Sequence, residues 1–393
     1  MPWKEVLVSE ARARFVFACR EKRESFASLC RGFGISRKSG YKWLKRYRQG
    51  GVRALEDASR RPRYCAKAHR CFWRERLRRA RKARPSWGPK KLRALLQRTF
   101  PGARRVPAVS TLGLWLAQSN LTGKRRRRAR PGPVLPWRGL RVARHCNELW
   151  SVDFKGWFRT GDGRRCEPLT VRDVHSRFVL AVVLLPNQSE AAVRQALLGV
   201  FRRYGLPKAI RTDNGAPFGG KGALGLSRLS VWWLRLGIAV EFIRRAHPQD
   251  NGAHEQMHRV LKADTAAPPA HSLRAQKRRI GLWIGYYNTE RPHEALAQQV
   301  PARFYWPSPR RMPRRLQEAK YPLGWKVRRV RNRGQIKCQG RERFVGRAFV
   351  GQLVGLKTIA SASHEVYLER QLIGLLHSQD LAGMRPASIA RQT

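Results

Sequence analysis

The chain has 393 residues, 83 Lys and Arg against 25 Asp and Glu, and a formal net charge of +58. At ~150 residues per domain the length suits about two to four folding units, and a composition of 42% hydrophobic and 9% aromatic residues excludes a disordered polycation. The longest apolar run, Phe178 to Leu185, ends at Pro186, well short of the ~20 residues that span a bilayer. Lys4, Glu5 and Glu10 interrupt any secretory core, so the expected location is the cytoplasm, with no membrane partner.

The charge is uneven. Residues 1–145 hold 41 Lys and Arg against 7 Asp and Glu, a net +34; residues 146–393 hold 42 against 18, a net +24. Such a field destabilises a compact chain by self-repulsion unless a polyanion answers it, and nucleic acid is the commonest large polyanion in a cytosol. The seven cysteines are odd in number and scattered, as in a reducing compartment. Cys65, His69 and Cys71 cluster but lack a fourth ligand at zinc-finger spacing.

Residues 25–48 have the rhythm of a helix-turn-helix. Phe26, Leu29 and Cys30 face inward on a first helix, Gly32 to Ile35 form the turn, and Ser36 caps a second helix on which Tyr41, Leu44 and Tyr47 are expected to face the core. Arg37, Lys38, Lys42, Lys45 and Arg46 are left outside, where they can reach a major groove and its phosphates. Gly40 lies inside that second helix, at a cost of ~1 kcal/mol. We assign residues 1–60 to this unit. A basic helix over roughly 67–83 leads to a second helical pair carrying Leu92, Leu95 and Leu96, then Val109, Leu112, Leu114, Trp115 and Leu116, with a break at Phe100-Pro101-Gly102. This second helical, helix-turn-helix-like unit spans 61–123. Residues 124–142, with Arg125, Arg126 and Arg127 among their charges and prolines that forbid helix, read as a basic linker able to track a phosphate backbone.

From residue 143 the pattern becomes α/β. Leu149 to Phe154 alternates, with Trp150, Val152 and Phe154 on one face and Asp153 on the other. Strands follow at Leu169–Val171 and Phe178–Leu185, around a turn in which Asp173 is expected to be structural. A helix capped by Ser189 ends at Gly205, a strand over Lys208–Thr212 delivers Asp213, and a glycine-rich segment, 219–225, precedes the helix Leu229–Leu236. Ile238–Ile243 is a last strand, and Glu255 lies on the first turn of the helix that follows.

Strands disfavour Asp, and half-buried carboxylates are costly unless paired or metal-bound. Asp153, Asp213 and Glu255 could converge on one sheet edge, where two Mg²⁺ ions ~4 Å apart would relieve their repulsion and activate an oxygen nucleophile for phosphoryl transfer. Three unrelated acids would be the plain alternative.

Three segments, Leu149–Asp153, Thr212–Phe218 (TDNGAPF) and Pro248–Glu255 (PQDNGAHE), together with Tyr287–Leu296 (YNTERPHEAL), resemble the motifs of bacterial insertion-sequence DDE transposases with a retroviral-integrase-like catalytic core. The likeness is spread over residues 25–306. It implies a ribonuclease-H-like core with a mixed five-stranded sheet and helices, over 143–310. It also implies a catalytic and metal-binding triad of Asp153, Asp213 and Glu255, and Mg²⁺ as cofactor in two sites, with Mn²⁺ able to substitute. The interval between the last two acids is longer than the family's usual one, and Asp250 would fit that interval better. The P-Q-x-x-G-x-x-E pattern ends on Glu255, however, and the glycine-rich segment can absorb extra residues cheaply. Arg259 and Lys262 share the face of Glu255 and can hold DNA beside it. His254 and His258 are expected to serve packing or the surface, and Asn214 and Gly215 to shape the turn after Asp213.

Beyond the core, Trp283, Tyr286 and Tyr287 read as packing residues. Residues 320–393 read as short strands of a small β-barrel, with Arg328, Arg329, Arg331 and Arg333 offering a further DNA contact. The fold class is therefore multidomain α/β. The resemblance implies a transposase that binds the terminal inverted repeats of its element, hydrolyses the 3′ ends and joins them to target DNA. Its partners would be double-stranded DNA and, in the DNA complex, at least a second copy of itself, with no small-molecule substrate. The rivals are a catalytically inactive, domesticated repressor and a nuclease of the same fold without strand transfer.

Overall fold

The computed structural model describes residues 8–57, 70–102, 106–122, 139–244, 247–360 and 363–387. Cys65, His69 and the arginines of the basic linker, Arg125, Arg126 and Arg127, lie outside the described residues. The chain forms two compact units that divide between Phe72 and Trp73. Among the described residues no helix is long and apolar enough to cross a membrane.

The first unit packs α1 (Val8–Glu21), α2 (Phe26–Gly32) and α3 (Arg37–Gly50) around Phe15, Val16, Leu29, Cys30, Trp43 and Leu55. Ser25 caps α2 and Ser36 caps α3, each hydroxyl accepting from the N–H three residues on. The inward face of α3 differs from the expected one: Trp43 is 9% exposed, whereas Tyr41 is 62% exposed. The reason is α1, which periodicity did not disclose because Arg12 and Arg14 interrupt its apolar face. Arg12 is itself buried, lies 4.0 Å over the Trp43 ring, and donates to the Leu55 carbonyl and to Asp57. Gly40 now has a reason to be in the helix. A Cβ there would meet Phe26 at 2.8 Å and both Cys30 and Phe15 at 2.9 Å. Gly40→Ala, a gain of ~1 kcal/mol by helix propensity, should therefore destabilise this unit by about 1–3 kcal/mol through overpacking, read as a lower midpoint in chemical denaturation.

The second unit begins with α4 (Arg70–Ala83), α5 (Pro89–Thr99) and α6 (Val109–Gln118), which bury Trp73, Leu77, Trp87, Leu92, Leu96, Leu112, Trp115 and Leu116. Leu114, expected on that face, is 55% exposed. The strands of the α/β core are β1 (Leu149–Phe154), β2 (Phe158–Arg159), β3 (Arg165–Asp173), β4 (Val179–Leu185), β5 (Ala209–Thr212) and β6 (Ala239–Phe242); its helices are α7 (Glu190–Tyr204), α8 (Arg228–Arg235), α9 (Gly252–Thr265) and α10 (Leu273–Thr289). The five main strands run β4–β3–β1–β5–β6, antiparallel as far as β1 and parallel beyond it, while β2 adds a short pairing to β3. One face carries Trp150, Val152, Leu169 and Val171 against Val193, Leu197 and Phe201 of α7 and Trp233 of α8. The other sets Val182 and Leu184 against Met257, Leu261, Ile280 and Trp283 of α9 and α10. This is the ribonuclease-H-like sheet. Asp173 is structural, accepting from the backbone of Asn147 and from the N–H and hydroxyl of Ser176.

The helical hairpin docks on α10: Trp87 stacks on Tyr286 with ring centroids 5.8 Å apart, Arg84 pairs with Glu290, and Lys90 pairs with Glu294. Tyr286, Tyr287 and Trp283 are thus packing residues.

The C-terminal part is all β. An antiparallel sheet of β7 (Lys326–Arg329), β10 (Leu353–Ala360), β11 (Ser363–Leu368), β12 (Gln371–His377) and β13 (Arg385–Pro386) shares a core with the hairpin of β8 (Gln335–Cys338) and β9 (Arg341–Phe344). The N–H of Met384 donates to the carbonyl of Phe344, tying hairpin to sheet. The glycine-rich segment is not the slack insertion that its composition suggested. Ala223, Leu224 and Leu226 are buried in the same cluster as Val354, Leu356 and Phe349, so the added length between Asp213 and Glu255 seats the β domain.

Candidate active site

Asp153 and Asp213 are brought together by strand register. β1 and β5 are parallel, with Leu149 opposite Ala209 and Ser151 opposite Arg211. Continuing that register two residues sets Asp213, just past the end of β5, beside Asp153 and on the same face. The turn beyond is shaped as expected: Gly215 donates to the Asp213 carboxylate at 3.2 Å, and the Asn214 amide donates to the Ile243 carbonyl. Gly219 permits it, since a Cβ there would lie 2.4 Å from the Asn214 carbonyl oxygen.

Glu255 is exposed on the first turn of α9. Several buried polar contacts hold that turn across β1 and β3. The Ser151 hydroxyl donates to the side-chain Oδ1 of Asn251 at 2.9 Å, and Arg172 donates to the main-chain carbonyl of Ala253 at 2.6 Å. His254 meets Ser151 through Nδ1 at 2.7 Å and Thr170 through Nε2 at 2.6 Å, and His258 meets the same Thr170 hydroxyl at 2.7 Å.

Asp250, the acid at the more usual interval, is engaged elsewhere. Arg244 grips it with Nε at 2.9 Å and Nη2 at 2.8 Å, and this hydrogen-bonded ion pair holds its carboxyl below the ordinary range. A carboxylate neutralised in this way has little charge left to offer a cation.

Asp153 and Asp213 behave differently. Burial pushes the Asp153 carboxyl up to about 7; the negative charge of Asp213 and then that of Glu255 add to the rise, against the Phe154 N–H and Lys155. Burial also raises Asp213. Lys155, two residues after Asp153 and just past the end of β1, where its N–H still donates to the Pro168 carbonyl, was not singled out by the sequence reading, although continuing the strand alternation could have found it. It is half-buried, and burial and then the neighbouring Lys262 lower its own titration point. Arg259 and Lys262 are exposed on α9.

His254 and His258 are buried rather than surface residues, His254 completely. Burial holds both neutral, His258 down to about 3. Among the described residues, Asp153, His254 and His258 bring possible ligand atoms within 4.8 Å of one another. The Thr170 hydroxyl, however, occupies the point on which both Nε2 atoms converge, so hydrogen bonding accounts for the histidines without an ion.

Of the expected DNA-contacting residues, Arg37, Lys38, Lys42 and Lys45 are exposed along α3, while Arg46 is half-buried with its guanidinium 5.1 Å from the Trp43 ring. Arg328, Arg329, Arg331, Arg333 and Lys337 line a cleft of about 740 Å³ on the β domain.

Comparison with known proteins adds names. Residues 143–248 and 236–301 match two models of the integrase core domain, residues 11–63 match a helix-turn-helix domain, and residues 325–380 match the C-terminal domain of IS481 family transposases. An uncharacterized 31.7 kDa protein of insertion element IS407 from Burkholderia multivorans is 30% identical over 181 residues, 46% of this chain and 63% of that protein. A 39.2 kDa protein of insertion element IS476 from Xanthomonas euvesicatoria is 27% identical over 221 residues, 56% of this chain and 60% of that protein. The chain thus spans less than two thirds of the length of either relative. Among solved structures, the simian T-cell lymphotropic virus intasome in complex with the PP2A subunit B56 gamma has a chain 14% identical, with TM-score 0.37, covering 80% of this chain and 100% of that one. The catalytic core domain of BIV integrase is 20% identical, with TM-score 0.31, covering 40% and 93%. A helix-turn-helix match, two integrase-core matches and an IS481-type C-terminal match thus lie in one sequence, and the chain is similar in sequence to proteins of insertion elements.

Proposed function

We propose that the protein binds the terminal inverted repeats of an insertion sequence and catalyses metal-dependent cleavage of the 3′ ends and their joining to target DNA. The observation that carries this reading is the Asp153 carboxyl, pushed to about 7 by burial and by the charges of Asp213 and Glu255. Evolution gains nothing in a plain DNA-binding protein from crowding three acids at one sheet edge, and hard carboxylate oxygens suit Mg²⁺. Asp153, Asp213 and Glu255 would hold two such ions, Mn²⁺ substituting, which when bound supply activation of a water or 3′ hydroxyl and charge stabilisation at the leaving oxygen.

The chain's own cations do the rest of the binding. Lys155, Arg259 and Lys262 ring the acids and would hold the scissile strand by its phosphates. The exposed cations of α3 would read and grip the repeat, with Arg125, Arg126 and Arg127 adding phosphate contacts. Residues 1–60 and 61–123 would act as the recognition units, 124–142 as their tether, 143–310 as the catalytic core and 320–393 as a further DNA-contacting domain. Two element ends in one reaction call for at least two copies of the chain, acting in the cytoplasm on the nucleoid.

The choice of third acid is tested by two variants on a labelled end-DNA duplex. Glu255→Gln should lose cleavage and joining by about 10³-fold or more while binding the duplex normally. Asp250→Asn should keep the chemistry and lose stability with its Arg244 ion pair. The reverse pattern transfers the role to Asp250, and an intact triad that binds ends but neither cuts nor joins them points to a repressor.

A further inference from the structure

Asp153 lies directly opposite Thr170 in the antiparallel pairing of β1 with β3. Thr170 is fully buried, as is Ser151, two residues before Asp153 on the same face. Buried hydroxyls are costly without partners, and these two are saturated: Thr170 reaches the Asp153 carbonyl at 2.9 Å, His254 at 2.6 Å and His258 at 2.7 Å, while Ser151 reaches His254 at 2.7 Å and Asn251 at 2.9 Å. The Asn251 amide then points back to the Asp153 carboxylate at 3.5 Å, the long end of hydrogen bonding. The two histidines stand one helical turn apart, edge to face with centroids 4.6 Å apart, and converge on a single hydroxyl.

The contacts run as a chain. His254 Nδ1 meets the Ser151 hydroxyl, Ser151 donates to the side-chain oxygen of Asn251, and the Asn251 nitrogen faces Asp153. Nε2 of His254 and Nε2 of His258 both meet the Thr170 hydroxyl, which donates to the Asp153 carbonyl. Apolar packing alone would let α9 slide along the sheet by fractions of an ångström at small cost. Directional hydrogen bonds do not.

We infer that Thr170, His254, His258, Ser151 and Asn251 form a positioning clamp that sets the Glu255 turn of α9 in register with Asp153 on β1, and so builds the cation-binding geometry. The inference rests on the metal-dependent reading above. None of the five touches the reacting atoms; they act through Asp153 and Glu255.

The test is Mn²⁺ binding by the full chain without DNA, followed by titration calorimetry, with end-DNA binding in the absence of divalent ions as a second readout. Thr170→Val keeps the shape and removes the shared hydroxyl. It should weaken Mn²⁺ binding about 10–100-fold, the usual effect of losing an outer hydrogen bond to a metal ligand, and leave DNA binding unchanged. Thr170→Ser, which restores the hydroxyl, should return to within about threefold of the native protein. Ser151→Ala breaks this chain of contacts at its other end and gives the answer if circular dichroism shows Thr170→Val unfolded. Asp153→Asn separates the two ideas. If Asp153→Asn abolishes Mn²⁺ binding while Thr170→Val and Ser151→Ala bind normally, the clamp is overturned and the metal reading stands. If Asp153→Asn binds Mn²⁺ as the native protein does, both fall.

Discussion

Replacing Asp153 by asparagine should make the metal-free protein more stable and catalytically dead. The folded protein keeps the Asp153 proton up to a pH of about 7, whereas the unfolded chain releases it near the ordinary value of 3.8. Between those values the folded state binds more protons, so this group's contribution to stability falls as pH rises from about 4 to about 7 and stays low above. Asparagine has no such dependence. The variant's advantage over the native protein should therefore be absent near pH 4, open across that window and be full at pH 8. At ~1.4 kcal/mol per pH unit the upper bound is about 4 kcal/mol, reduced by water at the half-buried sheet edge. Chemical denaturation in chelator at pH 5 and pH 8 measures it. The same substitution should lower end cleavage and joining by about 10³-fold or more. Added Mg²⁺ should stabilise the native protein and not the variant, since a ligand stabilises only the state that binds it. A variant no more stable than the native protein at pH 8 in chelator would mean that burial and the neighbouring charges do not raise the Asp153 carboxyl as argued.

The second large effect is expected on α3. Arg37, Lys38 and Lys45 are exposed and lack the second duty of Lys42 and Arg46, whose cationic heads lie 5.0 and 5.1 Å from the centre of the Trp43 ring and would confuse the result. Changing these three to alanine should lower the slope of log affinity against log salt by roughly two to three, at ~0.9 per phosphate contact, and weaken binding to the element end about 10²-fold near 0.15 M salt. Fluorescence anisotropy at several salt concentrations, against a scrambled duplex of equal length, separates this from the general pull of a +58 chain. Unchanged discrimination between the two duplexes, with a slope shifted by less than about 1, would remove α3 from the recognition surface.

Much of the architecture was readable because its causes are local. Ser25, Ser36 and Ser189 cap the helices that follow them, Gly205 stops α7 at a positive φ, and strand alternation separated Asp153 from Trp150 and Val152. The readings that failed depended on partners distant in sequence. Tyr41 was preferred to Trp43 because α1 was hidden by Arg12, whose charged head lies flat on the Trp43 ring. The segment around Leu224 looked like loop filler because its glycines are visible in sequence and the β domain packed on its few apolar residues is not. Thr170, 17 residues from Asp153 along the chain, came to lie beside it only through strand register and a histidine pair.

The order of the main strands and helices of the α/β core, the basic helix α3, Asp153 in a strand and Asp213 at a strand end were determined by the sequence alone, since periodicity, capping and local composition act over one or two turns or a single strand. Only the tertiary structure decided which charges the acids face. Asp250 is held by Arg244, whereas the charge of Glu255 acts on Asp153, because ion pairing and strand register depend on where distant residues meet in space.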